Sequence, residues 1–209
     1  MLAANPHPLP GVGTSLLVFA ALGLMLVASA MTFWVLTERS TSRRQRVSLA
    51  EWARDEGFRL RFDLPDRPEP FGVLQGDGLH VRVALTDRSG VLSLLQLGNW
   101  NLLAQRIPAD WKPTGLRPAS AAGSVLDRFS LESFPLMGPS ERFVLYGTDS
   151  AAALSLSKSS ARALLPPDVG LLLHGRNLVL DFSSRPFDAV ELNRMRAIAG
   201  QIANHLATR

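Results

Sequence analysis

The side chains best suited to chemistry are few and scattered. Histidine occurs at 7, 80, 174 and 205, and no two of these have the close spacing of metal ligands. Asp87 and Asp181 end predicted strands, where a carboxylate can act as general base; aspartate at a strand end also suits a turn. Gly76-Asp77-Gly78 could cradle a phosphate, but apolar runs flank it on both sides, and a hairpin turn uses the same residues. Trp100 and Trp111 flank a segment rich in proline and polar residues, where they could meet a ligand or a membrane surface or pack on the domain. His174 sits at a predicted hairpin end and reads as an exposed turn residue, while His80 begins a strand.

Common catalytic motifs are missing. The chain has no G-x-x-x-x-G-K-[ST], no G-x-S-x-G and no H-E-x-x-H. It has no cysteine, which excludes disulfides, thiolate zinc sites, iron–sulfur clusters and a cysteine nucleophile. No catalytic, metal or cofactor-binding residue is assigned and no cofactor is expected. A dispersed active site leaves no short motif, so an enzyme that gathers His80, Asp87 and Asp181 in one pocket stands as an alternative.

The elements that must position these residues begin with an uncharged stretch. The chain has 209 residues, 46% hydrophobic and 19% charged, which excludes wholesale disorder. Its first Lys, Arg, Asp or Glu is Glu38. Ser15 to Leu36, SLLVFAALGLMLVASAMTFWVL, spans about 33 Å as a helix, against about 30 Å of bilayer core. A continuous apolar run satisfies its backbone in lipid only as a helix. Residues 1–14, with Pro6, Pro8 and Pro10, form an irregular tail. Ala28-Ser29-Ala30 has the form of a signal-peptide cleavage site, so an exported product is the alternative. Against it, the segment before the run has no Lys or Arg, whereas Arg39, Arg43, Arg44 and Arg46 follow it. Positive residues stay cytoplasmic, which places the N-terminus outside and the C-terminal domain inside. Ala20, Gly23, Val27 and Ala30 fall near one stripe that would let two such helices approach closely.

Between Glu38 and Arg61 lie seven arginines and four acids, so nearly all of the net charge of +4 adjoins the apolar run. A nucleic-acid binder would carry a basic face on the folded domain, so no nucleic acid is expected. Arg39, Arg43, Arg44 and Arg46 are candidates for lipid headgroup contact or serve simply as topology determinants. Ser48 with Glu51 reads as a capping box, and Gly57 as a helix stop; Leu49, Trp52 and Ala53 give the short helix between them an apolar face to dock on the domain.

From residue 58 the pattern predicts an α+β domain: a largely antiparallel sheet with helices packed on one face. Phe58 to Asp63 alternates as a strand. Phe71–Gln75, Leu79–Thr86 and Val91–Leu97 read as a meander, Trp100–Ser120 as a loop with a short helix near 102–106, and Val125–Leu131 and Arg142–Tyr146 as strands. Asp149 caps helical residues 150–165, in two pieces because of their serines. Val169–Leu173 and Leu178–Phe182 read as a hairpin around His174-Gly175-Arg176-Asn177. Asp188 and Glu191 open a last helix with a stripe of Val190, Met195, Ile198, Ile202 and Leu206.

The apolar run, LAEWARDEGF (Leu49–Phe58) and the ending from Arg142 through LLLHGRNLVLDF to the last helix resemble uncharacterised bacterial single-pass membrane proteins with a cytosolic domain of unknown function. The resemblance covers about half the chain and implies membrane attachment without a known activity. The expected role is an interaction or scaffold module at the cytoplasmic face of the cell membrane. Its expected partners are the bilayer and a protein partner or a second copy of itself. The alternatives are a membrane-associated enzyme and a sensor of anionic lipid surfaces.

Overall fold

The computed structural model describes residues 23–29, 31–32, 44–65, 80–120, 124–128, 131–134 and 142–207. The chain divides into two compact units, Met1–Val47 and Ser48–Arg209.

In the first unit, residues 23–29 and 31–32 are helical, and Leu24, Met25, Leu26, Val27 and Met31 are 60–72% exposed. The hydroxyls of Ser29 and Thr32 turn back onto the carbonyls of Met25 and Ala28, each at 2.7 Å, so these polar groups are satisfied inside the helix. Among the described residues no helix is long and apolar enough to cross a membrane. Most of the span predicted over Ser15–Leu36 lies outside them, as do the tail, Arg39 and Arg43.

The second unit opens with α1, helical over residues 44–55 and part of this unit from Ser48 on. Ser48 is therefore interior to a helix and not its cap, because the helical residues start four positions earlier. The stop at Gly57 is as expected. Its φ is +76°, Phe58 N–H donates to Ala53 O (2.7 Å) and Gly57 N–H to Arg54 O (3.2 Å). This is a Schellman ending, and its apolar contact is the Trp52–Phe58 stack at 5.3 Å.

Seven strands follow among the described residues: β1 (Arg59–Leu64), β2 (Val81–Thr86), β3 (Leu92–Leu97), β4 (Trp100–Pro118), β5 (Glu132–Phe134), β6 (Phe143–Gly147) and β7 (Gly170–Asp181). All pairings among the described residues are antiparallel, in the order β1-β2-β3-β4-β6-β5 with β7 on β4. The frame is the β4–β7 ribbon. One edge of β4 takes β3 along residues 100–105 and then β6 along 114–118, while β7 runs down the other edge. Helices α2 (Ser150–Lys158), α3 (Ala161–Leu164) and α4 (Ala189–Ala207) complete the unit.

Helices and sheet share one large core. Leu85, Leu94, Leu103, Leu171, Leu173, Leu178 and Leu180 face it from the strands, and Leu156, Leu192, Met195, Ala199, Ile202 and Leu206 from the helices. The opposite sheet face carries a second cluster of Ala84, Leu95, Leu97, Leu102, Ala104, Leu172 and Val179, joined by Val125. Burial on both faces explains unbroken runs such as Leu171–Leu173, where a half-exposed strand would alternate. Thus the α+β architecture with helices on one face holds.

Four local expectations are corrected. Trp100–Pro118 is one 19-residue strand and not a loop; its prolines 108 and 113 fall where the register with β7 breaks, and a missing N–H is tolerated there. The supposed hairpin at 174–177 is a kink in a continuous strand. Gly175, φ +57°, lies opposite Trp111, and the six residues from Arg106 to Trp111 face only three on β7, Gly175 to Asn177. Val125–Arg128 is a 3-10 turn, since Ser124 N–H bonds Asp127 Oδ2 (3.0 Å) and Val125 N–H goes to Asp181 rather than to a ladder. Val190 leaves the α4 stripe, at 78% exposure; Leu192 takes its place. The Phe71–Gln75 strand and the Gly76-Asp77-Gly78 turn lie outside the described residues.

Candidate functional site

The predicted acids and histidines are built into different parts of the sheet. His80 precedes β2 and Asp87 follows it, so they stand at opposite ends of a six-residue strand, roughly 20 Å apart. Asp181 pairs in register with Leu102, Leu102 with Leu95 and Leu95 with Ala84, which places it three strand spacings from β2, about 14 Å. These three residues therefore do not share a pocket.

Each also has a bonding partner. Asp87 takes the Ser89 hydroxyl on one oxygen and Leu92 N–H (3.0 Å) on the other, closing the β2–β3 turn. His80 Nε2 is 3.4 Å from Asp63 Oδ1, with both side chains more than half exposed. Asp181 is buried and fully occupied. Oδ2 accepts from Ser124 Oγ (3.0 Å) and Val125 N–H (2.8 Å), Oδ1 from Ser183 N–H (3.2 Å) and Ser183 Oγ (2.5 Å). A carboxylate with this set pins the 124–128 turn to the end of β7, and its lone pairs are already committed. His205 Nδ1 lies 2.9 Å from Gln201 O, within α4. Trp100 packs against the second cluster and Trp111 against the main core. Trp111 Nε1 and Thr114 Oγ1 are buried without a hydrogen-bond partner among the described residues. No group of three His, Asp or Glu among the described residues is placed to hold a metal ion. Arg44 and Arg46 lie exposed on α1.

Two clusters that the pattern did not reveal organise the ends of α4. At its start, Arg185 Nε and Nη2 hold both oxygens of Asp168 (2.8 and 2.5 Å), while Nη1 reaches Glu191 Oε1 at 2.5 Å. Asp188 caps the helix through Glu191 N–H (2.9 Å), which leaves the Glu191 carboxylate free to turn toward Arg185. The guanidinium holds the Asp168 carboxyl below the usual carboxylate range against the opposing effect of burial. Asp168 in turn raises the Arg185 pKa, again against burial. Asn101 Nδ2 donates to Arg185 O (2.7 Å), so the loop after β7 is tied to β4.

The second cluster joins α1 to α4. The Arg196 guanidinium lies over Trp52 (5.9 Å) and Phe58 (5.1 Å), and Nη1 pairs with Glu56 Oε2 (2.7 Å). Trp52 Nε1–H donates to Asn193 Oδ1 at 3.3 Å. With Leu49, Trp52, Ala53 and Phe58 buried in the main core, the helix that leads into the domain is part of it. This junction fixes how the chain enters the sheet.

No protein-family model and no curated protein matches the chain. One solved structure does: the mycobacterial trehalose monomycolate transport factor A, TtfA, with a TM-score of 0.57 and 13% sequence identity, covering 78% of this chain and 93% of that one. At that identity the likeness is one of fold.

Proposed function

We propose that the chain is a single-pass, membrane-anchored accessory protein whose folded domain is an interaction module on the cytoplasmic side. The observation that carries this reading is the contrast between its two ends. An uncharged apolar run, with the hydroxyls of Ser29 and Thr32 turned back onto the helix, precedes a domain whose candidate reactive side chains are engaged in holding turns together. Arg39, Arg43, Arg44 and Arg46 after the run favour the inward orientation. At the α1–α4 junction the entering helix has its apolar face in the core, so α1 belongs to the folded domain from Ser48 on. TtfA, which shares the fold, is named a transport factor; the accessory role is carried to this chain from that name, and the membrane from the chain's own apolar run.

The partner is a second protein or a second copy. Cross-linking of the full chain in membranes, followed by solubilisation in mild detergent, should recover a stoichiometric complex or a homo-oligomer. A lone monomer would reject the interaction role.

A further inference from the structure

Most acidic groups described on the domain surface are neutralised pair by pair. Asp55 takes Arg54, Glu56 takes Arg196, Asp127 takes Arg117 and Asp149 takes Lys112. Arg59, Arg61 and Arg88 differ: they are exposed and make no ion pair among the described residues.

Register brings these three together. Arg59 lies opposite Thr86 and Arg61 opposite Ala84, so both point to the sheet face away from the helices, roughly 7 Å apart. Their neighbours Leu60 and Phe62 turn the other way, onto the main core. Arg88 is two residues past Thr86, and its Nε is 4.0 Å from where a Cβ on Gly57 would stand, so its side chain lies back over the α1–β1 corner. Asp87 spends both oxygens on Ser89 and Leu92, and Asp55 and Glu56 are paired elsewhere. Asp63, two positions past Arg61, lies 3.4 Å from His80, so among the described residues the corner presents three guanidinium groups with no carboxylate in an ion pair to them.

We propose that Arg59, Arg61 and Arg88 form a docking face for an anionic lipid surface, so that the domain rests on the bilayer that anchors it. The proposal rests on the membrane-anchored reading. Guanidinium groups bind phosphodiester oxygens in pairs, and a cluster beside an anionic leaflet gains from each member. Arg59 follows Leu36, the end of the apolar run, by only 23 positions, within easy reach of the headgroups. A single-stranded nucleic acid would call for aromatic platforms beside the charges, and the adjoining Phe58 and Phe62 are instead turned into the core.

The test uses the full chain in nanodiscs of phosphatidylcholine alone or mixed with phosphatidylglycerol, with arginine-specific glyoxal labelling read by mass spectrometry. Arg59, Arg61 and Arg88 should label several-fold more slowly in the anionic discs, and high salt should reverse this. Arg176, exposed on the β7 kink, should label equally in both. Equal labelling of the three in both discs overturns the proposal, including the case where Arg59→Gln, Arg61→Gln and Arg88→Gln together abolish capture of a protein partner. Failure of the chain to enter discs would count against the anchor itself. Flotation with vesicles of the same lipids then decides the docking face. About tenfold or greater preference for anionic vesicles, lost in the triple variant, supports it, and equal flotation rejects it.

Discussion

Arg185 lies between Asp168 and Glu191 with its side chain only 13% exposed, whereas Arg59, Arg61 and Arg88 stand in solvent with no carboxylate partner among the described residues. The two sets have the same chemistry and opposite settings. A guanidinium withdrawn from water is tolerated only when its donors are filled, so Arg185 is bound into a network that ties the loop before β7 to the start of α4. Guanidinium groups left in water cost the fold almost nothing and remain free to meet an outside anion. Position relative to carboxylates separates structural from interaction roles here, since the residue type is the same.

Breaking the buried set should produce the largest effect. Arg185→Ala leaves Asp168 without its counter-charge and Glu191 with only the distant Arg194 guanidinium (3.9 Å), and should lower unfolding stability by about 3 kcal/mol. This is the low end of the range for a buried pair, because the Asp168 side chain is 37% exposed. Urea denaturation reads it. The same pair can be followed by pH. The folded carboxyl of Asp168 titrates below its unfolded value, so its stabilisation is present above about pH 4 and is lost as the pH falls through the folded pKa. Asp168→Asn should flatten that part of the stability–pH profile, and an unchanged acid slope would show that the pair contributes nothing.

Asp181→Ala should cost about 2 kcal/mol, since it orphans the buried Val125 N–H and Ser124 hydroxyl. Hydrogen exchange at 124–128 should rise before that of β4. Arg196→Ala removes the Glu56 pair and the contacts over Trp52 and Phe58, for about 1 kcal/mol. Protection of amides 48–57 should drop while the β4–β7 ribbon stays protected. The triple glutamine variant at 59, 61 and 88 should change stability least, by under about 0.5 kcal/mol. A larger loss would move those arginines into the structural class and erase the contrast.

Local chemistry made several elements legible. Gly57 announced the end of α1, Asp149 and Asp188 the starts of α2 and α4, and the β2–β3 hairpin around Asp87 followed from alternation and turn residues. The β4–β7 ribbon was hidden because its pairings join residues far apart in the chain, such as Gln105 with Leu178. Within a single sequence, Gly175 serves a hairpin turn and a strand kink equally well. The residues of the Arg185 network come from the loop before β7, the loop after it and the first turn of α4, a grouping that no spacing rule encodes. Asp181 was visible as a residue, but its task depends on Ser124 and Val125, more than fifty positions earlier.

The proposed function requires that the segment before Glu38 stay in lipid with the domain on the inner side. Washing membranes that contain the full chain in alkaline carbonate, with a reporter after Arg209 that is active only in the cytoplasm, tests this most directly. With the run embedded and the domain inside, the chain stays in the membrane pellet and the reporter is active. Release into the supernatant, or a silent reporter on a chain that is present, would contradict it.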